Sequence, residues 1–546
     1  MTGGGRAKTI GVVSALALLI GSVCAGAQTP SGANRGYRIA GMVVDETSGK
    51  PLGQTEVTIG LIEGKNLRET YATGTDGRFL FEGLPAGKYQ LSARRRGYVA
   101  QSYKGHDDYW SAIVVGPGLK SDDVRFAMTA GASIVGHVVD ERGDAVRDGR
   151  VLLLREVLGG GRRRLTRDQE TEPNDLGIYR FGHLEPGSYV VVVMAQPWYA
   201  RLYGMNPGGT EGPARLGDVD TDVVYPVTFY PGATDAEAAG RITLAAGESA
   251  TADVALTPIP ARNVSLKTYN DPKERVGVVS AMEYIADGIA EPVSAPMYRQ
   301  RDSITFTGLP PSRIDVTWKT GAGKDAQEHF TSVNLAERDS GSSSVLTMIR
   351  GTLEGAGVAK VTGATVKLVL GAGGKTYSAV VGANGEFEFH EEMVRGLYTI
   401  EVPQLADAQL GIRAKGLEFF DDSLEIQPGR DVELKITAGR AARVRGRAVK
   451  NGAGAEGVFV ALVPEGFEDA NDLMRVAESD SSGAFEMEKI VPGRYRLIAV
   501  EDGWDGDWRS VEFLKRFVSG GKDVEIGAGR AVEVGEIEVV KDEVRK

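Results

Sequence analysis

Cysteine is almost missing from this chain: Cys24 is the single one in 546 residues. The sequence beyond it has no disulfide to form, no thiolate nucleophile and no Cys-based metal site. Histidine is nearly as scarce. His106, His137, His183, His329 and His390 stand far apart, and none has the His-x-x-Glu or His-Glu-x-x-His spacing that places zinc ligands on one helix face. His137 sits at a repeat position where other copies carry Met or Arg, and both it and His183 read as ordinary substitutions. Net positive charge is lacking too, since 63 Lys and Arg face 74 Asp and Glu for a balance of −11. That is the wrong sign for a nucleic-acid binder, which has to displace counterions from phosphates. The basic runs Arg94-Arg95-Arg96 and Arg162-Arg163-Arg164 read as solvated loops. No nucleophile elbow, Walker loop or dinucleotide fingerprint stands out either. After the N-terminus there is no second long apolar run, so no later helix is expected to cross a membrane.

What the chain does carry first is a leader pattern. Arg6 and Lys8 precede an apolar stretch over 10–23, and Ala25-Gly26-Ala27 supplies a small-x-small site. These predict a signal peptide over residues 1–27, cleavage before Gln28, and an exported chain that is periplasmic, outer-surface or secreted. Two alternatives use the same residues. One is an uncleaved anchor over 9–27, just long enough to span a bilayer. The other is a lipoprotein acylated at Cys24, although Gly21-Ser22-Val23 departs from the usual lipobox. An exported chain without disulfides must hold together by core burial, which domains of about 90 residues can manage. The length predicts roughly three to five such domains, and the 42% hydrophobic content is that of folded protein.

A block then recurs. Asp76-Gly77-Arg78-Phe79-Leu80-Phe81 leads to Leu84-Pro85-Ala86-Gly87-Lys88-Tyr89-Gln90-Leu91. It returns as Asn174 to Gly177, Tyr179-Arg180-Phe181, Leu184-Glu185-Pro186-Gly187 and Tyr189. The third copy is Asn384-Gly385-Glu386-Phe387-Glu388-Phe389 with Gly396-Leu397-Tyr398, and the fourth is Asp480 to Met487 with Val491-Pro492-Gly493-Arg494-Tyr495. Ile304-Thr305-Phe306-Thr307-Gly308-Leu309-Pro310 is a weaker echo. Asx-Gly supplies a tight turn. Phe-x-Phe puts two aromatics on one strand face. Pro-x-Gly ends that strand, and Tyr-x-Leu opens the next with its apolar side chains again on one face.

Each strong block follows an opening strand (Gly41-Met42-Val43, Gly136-His137-Val138, Gly351-Thr352-Leu353, Gly446-Arg447-Ala448) and precedes a closing one (124–128, 253–256, 432–436, 532–534). These marks divide the chain near 130, 258, 348 and 441. No Pro- or Ser-rich spacer separates the parts, which predicts a semi-rigid rod or curved array.

The series Gly-x-Val-x-Asp, Asp-x-x-Gly-x-Phe-x-Phe and Leu-Pro-x-Gly-x-Tyr-x-Leu resembles the carboxypeptidase regulatory-like domain. That resemblance implies a seven-stranded, transthyretin-like or prealbumin-like sandwich. The chain is expected to be all-β, a tandem array of four to five Ig-like or transthyretin-like antiparallel β-sandwich domains after the signal peptide. The expected domains are 36–130, 131–258 with a long aromatic insertion, a diverged 259–347, 348–441 and 442–546. In families that carry the module it is usually an accessory, beside a zinc carboxypeptidase, before outer-membrane receptors or in surface proteins. The resemblance therefore implies a non-catalytic structural or binding array, with no cofactor and with an envelope protein or polysaccharide as partner. A transthyretin-like hydrolase of purine catabolism would end in Tyr-Arg-Gly-Ser, whereas this chain ends Asp542-Glu543-Val544-Arg545-Lys546.

The candidate ligand-binding residues are aromatic. Comparable loops after the Tyr-x-Leu strand hold Tyr98, Tyr103, Tyr109 and Trp110, then Trp198, Tyr199 and Tyr203, then Trp504 and Trp508 amid Asp502, Asp505 and Asp507. Flat rings beside carboxylates suit carbohydrate stacking and protein interfaces. They equally suit capping the sandwich ends or packing between modules. Calcium at the Asx turns is a lesser alternative, because backbone geometry already accounts for those residues. An envelope hydrolase with an unrecognised carboxylate pair is another. The adjacent Asp107-Asp108 and Glu391-Glu392 point oppositely on an extended chain, and a paired-carboxylate cleft within 259–347 would favour it.

Overall fold

A turn repeated four times sets the framework of the computed structural model. Gly77, Gly177, Gly385 and Gly483 all have positive φ, between 70° and 85°, the region an Asx-Gly turn needs. The Asx side chain closes that turn: Asn174 Oδ1 accepts from the Leu176 and Ile178 amides at 3.0 and 2.9 Å, and Asp480 Oδ1 accepts from Ser482 and Ala484 at 2.9 and 3.0 Å. The structure describes residues 36–541 with internal breaks, the longest at 201–221, 268–275 and 337–346. The predicted signal peptide, Cys24 and Tyr203 lie outside the described residues.

Beyond each turn the aromatics go inward. Phe79 and Phe81, Tyr179 and Phe181, Phe387 and Phe389, and Phe485 and Met487 are all buried. The glycine of each opening strand lies beneath the first of these rings. A Cβ on Gly351 would sit 2.5 Å from Phe387, and one on Gly446 would sit 2.6 Å from Phe485. The Gly-x-Val start is thus a seat for the ring of the following strand. The next strand's tyrosine is buried as well, and in three copies its hydroxyl donates to the carbonyl four residues back. The pairs are Tyr89 to Pro85 at 2.9 Å, Tyr189 to Glu185 at 2.8 Å and Tyr495 to Val491 at 2.7 Å. A buried hydroxyl needs a partner, and this one pins the Pro-x-Gly corner to its own strand.

Two sheets face each other in every stretch. In the first, Arg78–Leu84, Tyr37–Asp45 and Val124–Met128 form one sheet. Arg68–Ala72, Glu56–Leu61 and Gly87–Arg94 form the spine of the other. Ile39, Phe79, Phe81, Tyr89, Leu91 and Phe126 fill the space between them. Equivalent sheet pairs and cores follow within 132–256, 349–439 and 442–541. Residues 262–334 add two smaller sheets around Ile304, Phe306, Leu309, Ile314 and Val316. The chain is all-β, as the pattern predicts.

One pairing refines the antiparallel expectation. The opening strand runs parallel to the closing strand in four stretches, with Gly41↔Val124, Ile134↔Ala250, Ile349↔Val432 and Val444↔Val532 among the partners. A parallel pair needs a long connection, and here the intervening sandwich is that connection. Among the described residues there is also one α-helix, Val511–Val518, capped by the Ser510 hydroxyl accepting from the Phe513 amide at 3.1 Å. It packs Phe513, Leu514 and Phe517 on the outer face of strand Phe459–Pro464, which is buried on both sides. No helix among the described residues is long and apolar enough to cross a membrane.

Candidate functional site

The aromatic loops have different fates. In the first sandwich, Lys104, His106, Tyr109, Ser111, Ala112 and Val114 lie against Glu456, Glu478, Ser479, Ser481 and Trp504 of the last. Trp504 is 8% exposed. His106 stacks on it at 5.4 Å with the planes 7° apart, and Tyr109 leans on it at 4.9 Å. Phe459 meets its edge and Trp508 stands 5.9 Å away, with the Arg509 guanidinium over the Trp508 ring. The faces of Trp504 are therefore taken up between the first and last sandwiches. Tyr109 and Trp508 are half-buried around this contact, and Trp110, next to Tyr109 in sequence, is half-buried as well.

Polar groups complete the joint. Glu478 has a side chain 1% exposed. Its Oε1 accepts from the fully buried Ser111 hydroxyl at 2.7 Å, and its Oε2 lies 3.1 Å from His106 Nδ1. Ser481 is held twice, its amide donating to the Ala112 carbonyl at 2.9 Å and its hydroxyl accepting from the Val114 amide at 2.8 Å. Lys88 Nζ lies 2.7 Å from Asp480 Oδ2, and Lys104 Nζ 3.1 Å from Glu456 Oε2. Asp480 serves the repeat turn and the joint at once. The sequence reading is a semi-rigid rod or curved array; in the structure the first and last sandwiches touch.

The second loop divides its aromatics. Tyr199 is buried and donates to Glu141 Oε1 at 2.9 Å, while Tyr225 donates to Glu141 Oε2 at 2.8 Å. Burial first, and then this bond to a carboxylate, push the Tyr199 phenol up to about 12. Trp198 is the exception. It is 61% exposed and meets Tyr199 edge to face at 5.7 Å.

Other joints use charge. Glu291 is buried, and its two carboxylate oxygens accept from Arg150 at 3.0 Å and Arg167 at 2.7 Å, across the junction between the second sandwich and the smaller sheets after it. Arg164 reaches Glu425 at 3.0 Å. Ile285 and Ile289 cover Leu152, Leu154, Val190 and Val192 on the outer face of the second sandwich. Beside this junction is a cleft of about 340 Å³ lined in part by Arg147, Arg150, Tyr225, Glu283 and Val293. Sequence reasoning passed over Glu283 and Glu291, because one glutamate in an apolar strand has no motif. The available signal was a carboxyl inside Ala281-Met282-Glu283-Tyr284-Ile285, a run that otherwise reads as buried. Among the described residues no three His, Cys, Asp or Glu side chains gather as a metal site. At the repeated turns Asn174 and Asp480 spend an oxygen on backbone amides.

Geometry of this kind defines a class, a chain of consecutive two-sheet β-sandwiches joined by aromatic and charged contacts. Within it, residues 38–129 match the family model of the carboxypeptidase regulatory-like domain. Residues 443–515 match that of the second beta sandwich domain of NOMO1-like BOS complex subunits. No curated protein matches the chain. Among solved structures it is similar to the TIE protein of Bacillus anthracis, at 10% identity and TM-score 0.15 over 93% of this chain and 69% of that one. It is also similar to the minor pilin GBS52 of Streptococcus agalactiae, at 12% and 0.21 over 41% and 97%. The shaft pilin SpaA of Lactobacillus rhamnosus GG gives 11% and 0.19 over 41% and 98%.

Proposed function

We propose that this chain is an exported, non-catalytic structural and binding array of the cell envelope, held as a closed frame. The observation that carries the reading is the joint between first and last sandwiches, where Ser111 and His106 hold a buried Glu478 and His106 stacks on Trp504. Buried charge with matched partners fixes a geometry more than it adds net stability, and a fixed geometry serves a scaffold. The hydrolase alternative requires two carboxyl groups facing one substrate. Glu283 and Glu291 are cross-strand partners, but both Glu291 oxygens are spent on arginines, which supports the non-catalytic reading. Expression with the native leader in a Gram-negative host tests export. A mature chain beginning at Gln28 in the envelope fraction agrees with the proposal, and an uncleaved cytoplasmic chain ends it.

Carbohydrate recognition is a second reading, favoured by the exposed Trp198 beside Tyr199. A glycan and peptidoglycan array with Trp198→Ala tests it. Binding that the substitution abolishes supports it; no binding, or binding unaffected by the change, removes it.

A further inference from the structure

The cleft beside the Arg150–Glu291 bridge holds a buried carboxyl group, Glu283, that no arginine or lysine among the described residues pairs. Glu283 is 6% exposed and lines that cleft. Among the described residues it has no ion pair, and its polar neighbour is the Ser312 hydroxyl. On the adjacent strand its partner Glu291 is neutralised twice, by Arg150 and Arg167. Arg150 is further committed to Glu170 at 3.4 Å. A buried carboxyl without a counterion is costly, and natural cores rarely keep one without a use.

The surroundings indicate what would balance it. Met194, Val224, Val227 and Val293 give the cleft apolar walls. Apolar side chains beside a buried carboxyl group that no arginine reaches match an alkyl chain ending in an ammonium group. We propose that this cleft binds an aliphatic primary amine, with the Glu283 carboxylate as its counterion and the methylenes against Met194 and the valines. The ammonium could belong to a small diamine or to a lysine side chain, which share this chemistry.

The experiment uses the full mature chain labelled at methionine methyl groups, so that Met194 reports from the cleft wall. Cadaverine, Nα-acetyl-lysine amide and uncharged n-pentanol are titrated separately. Saturable shifts of the Met194 methyl with either amine, and none with pentanol, are expected. Tighter binding of cadaverine identifies a free diamine as the better occupant; tighter binding of the lysine derivative identifies a protein side chain. Glu283→Gln should weaken amine binding about tenfold or more, the loss typical of a hydrogen bond to a charged group. Val293→Trp should remove binding by filling the cleft with Glu283 in place. A Met194 signal unmoved by both amines, or equal affinity in wild type and Glu283→Gln, overturns the proposal. Its failure leaves the closed frame untouched, because none of these residues belongs to the joint at Glu478.

Discussion

Replacing Ser111 with alanine removes one hydroxyl from the joint that closes the frame. That hydroxyl is fully buried and donates to Glu478 Oε1 at 2.7 Å, with the Ser479 carbonyl 3.2 Å away. A hydrogen bond to a charged acceptor contributes about 1.5–3 kcal/mol. Glu478 cannot recover that loss from water while the joint is closed, because its side chain is 1% exposed. The change should therefore cost about 2 kcal/mol of closure, a shift of roughly 30-fold in the open-to-closed equilibrium. Hydrogen exchange reads this directly. The Ser481 amide is protected by the Ala112 carbonyl and the Val114 amide by the Ser481 hydroxyl, and each bond crosses the joint. Both amides should exchange roughly 30-fold faster in Ser111→Ala, while the Tyr230 amide, bonded to Val191 inside the second sandwich, keeps its rate. Unchanged protection at Ser481 and Val114 would refute the claim that the ends are fastened there.

Other expectations follow from single contacts. Tyr89→Phe, Tyr189→Phe and Tyr495→Phe should each destabilise the local sandwich by about 1 kcal/mol in urea melts, because each strands a corner carbonyl. Gly351→Ala should cost about 1–3 kcal/mol by the same assay, since the new methyl meets the Phe387 ring and the Leu434 carbonyl. Burial pushes the Glu283 carboxyl above the usual carboxylate range. The folded chain then binds more protons than the unfolded one between the two values, so this group's contribution to stability falls as pH rises through that interval. Glu283→Gln should accordingly raise thermal stability at pH 7 relative to wild type and lose that advantage near pH 4. Equal differences at both pH values would contradict the assignment.

The sandwiches were legible because their determinants are local. Asx-Gly, Phe-x-Phe, Pro-x-Gly and Tyr-x-Leu act over about fifteen residues, and alternation alone sends the rings inward. The parallel pairing of Tyr37–Asp45 with Val124–Met128 has no such local signal. Helix Val511–Val518 escaped notice because eight residues give little periodicity, although Ser510 before an apolar-rich segment was a usable cap signal. Tyr398 lies 5.9 Å from Tyr377 in ring-to-ring contact, a pairing no repeat alignment within the chain suggests. The joints were the least accessible. Lys104 meets Glu456 across 352 positions of sequence, and the rings that suggested a ligand surface, Tyr109 and Trp504, meet each other. An aromatic loop has the same composition whether it receives a sugar or another module.

Closure of the frame is tested most directly by a cross-link between its ends. With Cys24 removed along with the predicted leader, Ala112→Cys and Ser481→Cys would be the only thiols, at positions joined by a 2.9 Å backbone hydrogen bond. Mild oxidation of dilute protein should give one intramolecular disulfide, seen as a faster, reductant-sensitive band on a denaturing gel. Free thiols, or disulfides only between chains, would mean that the first and last sandwiches do not meet.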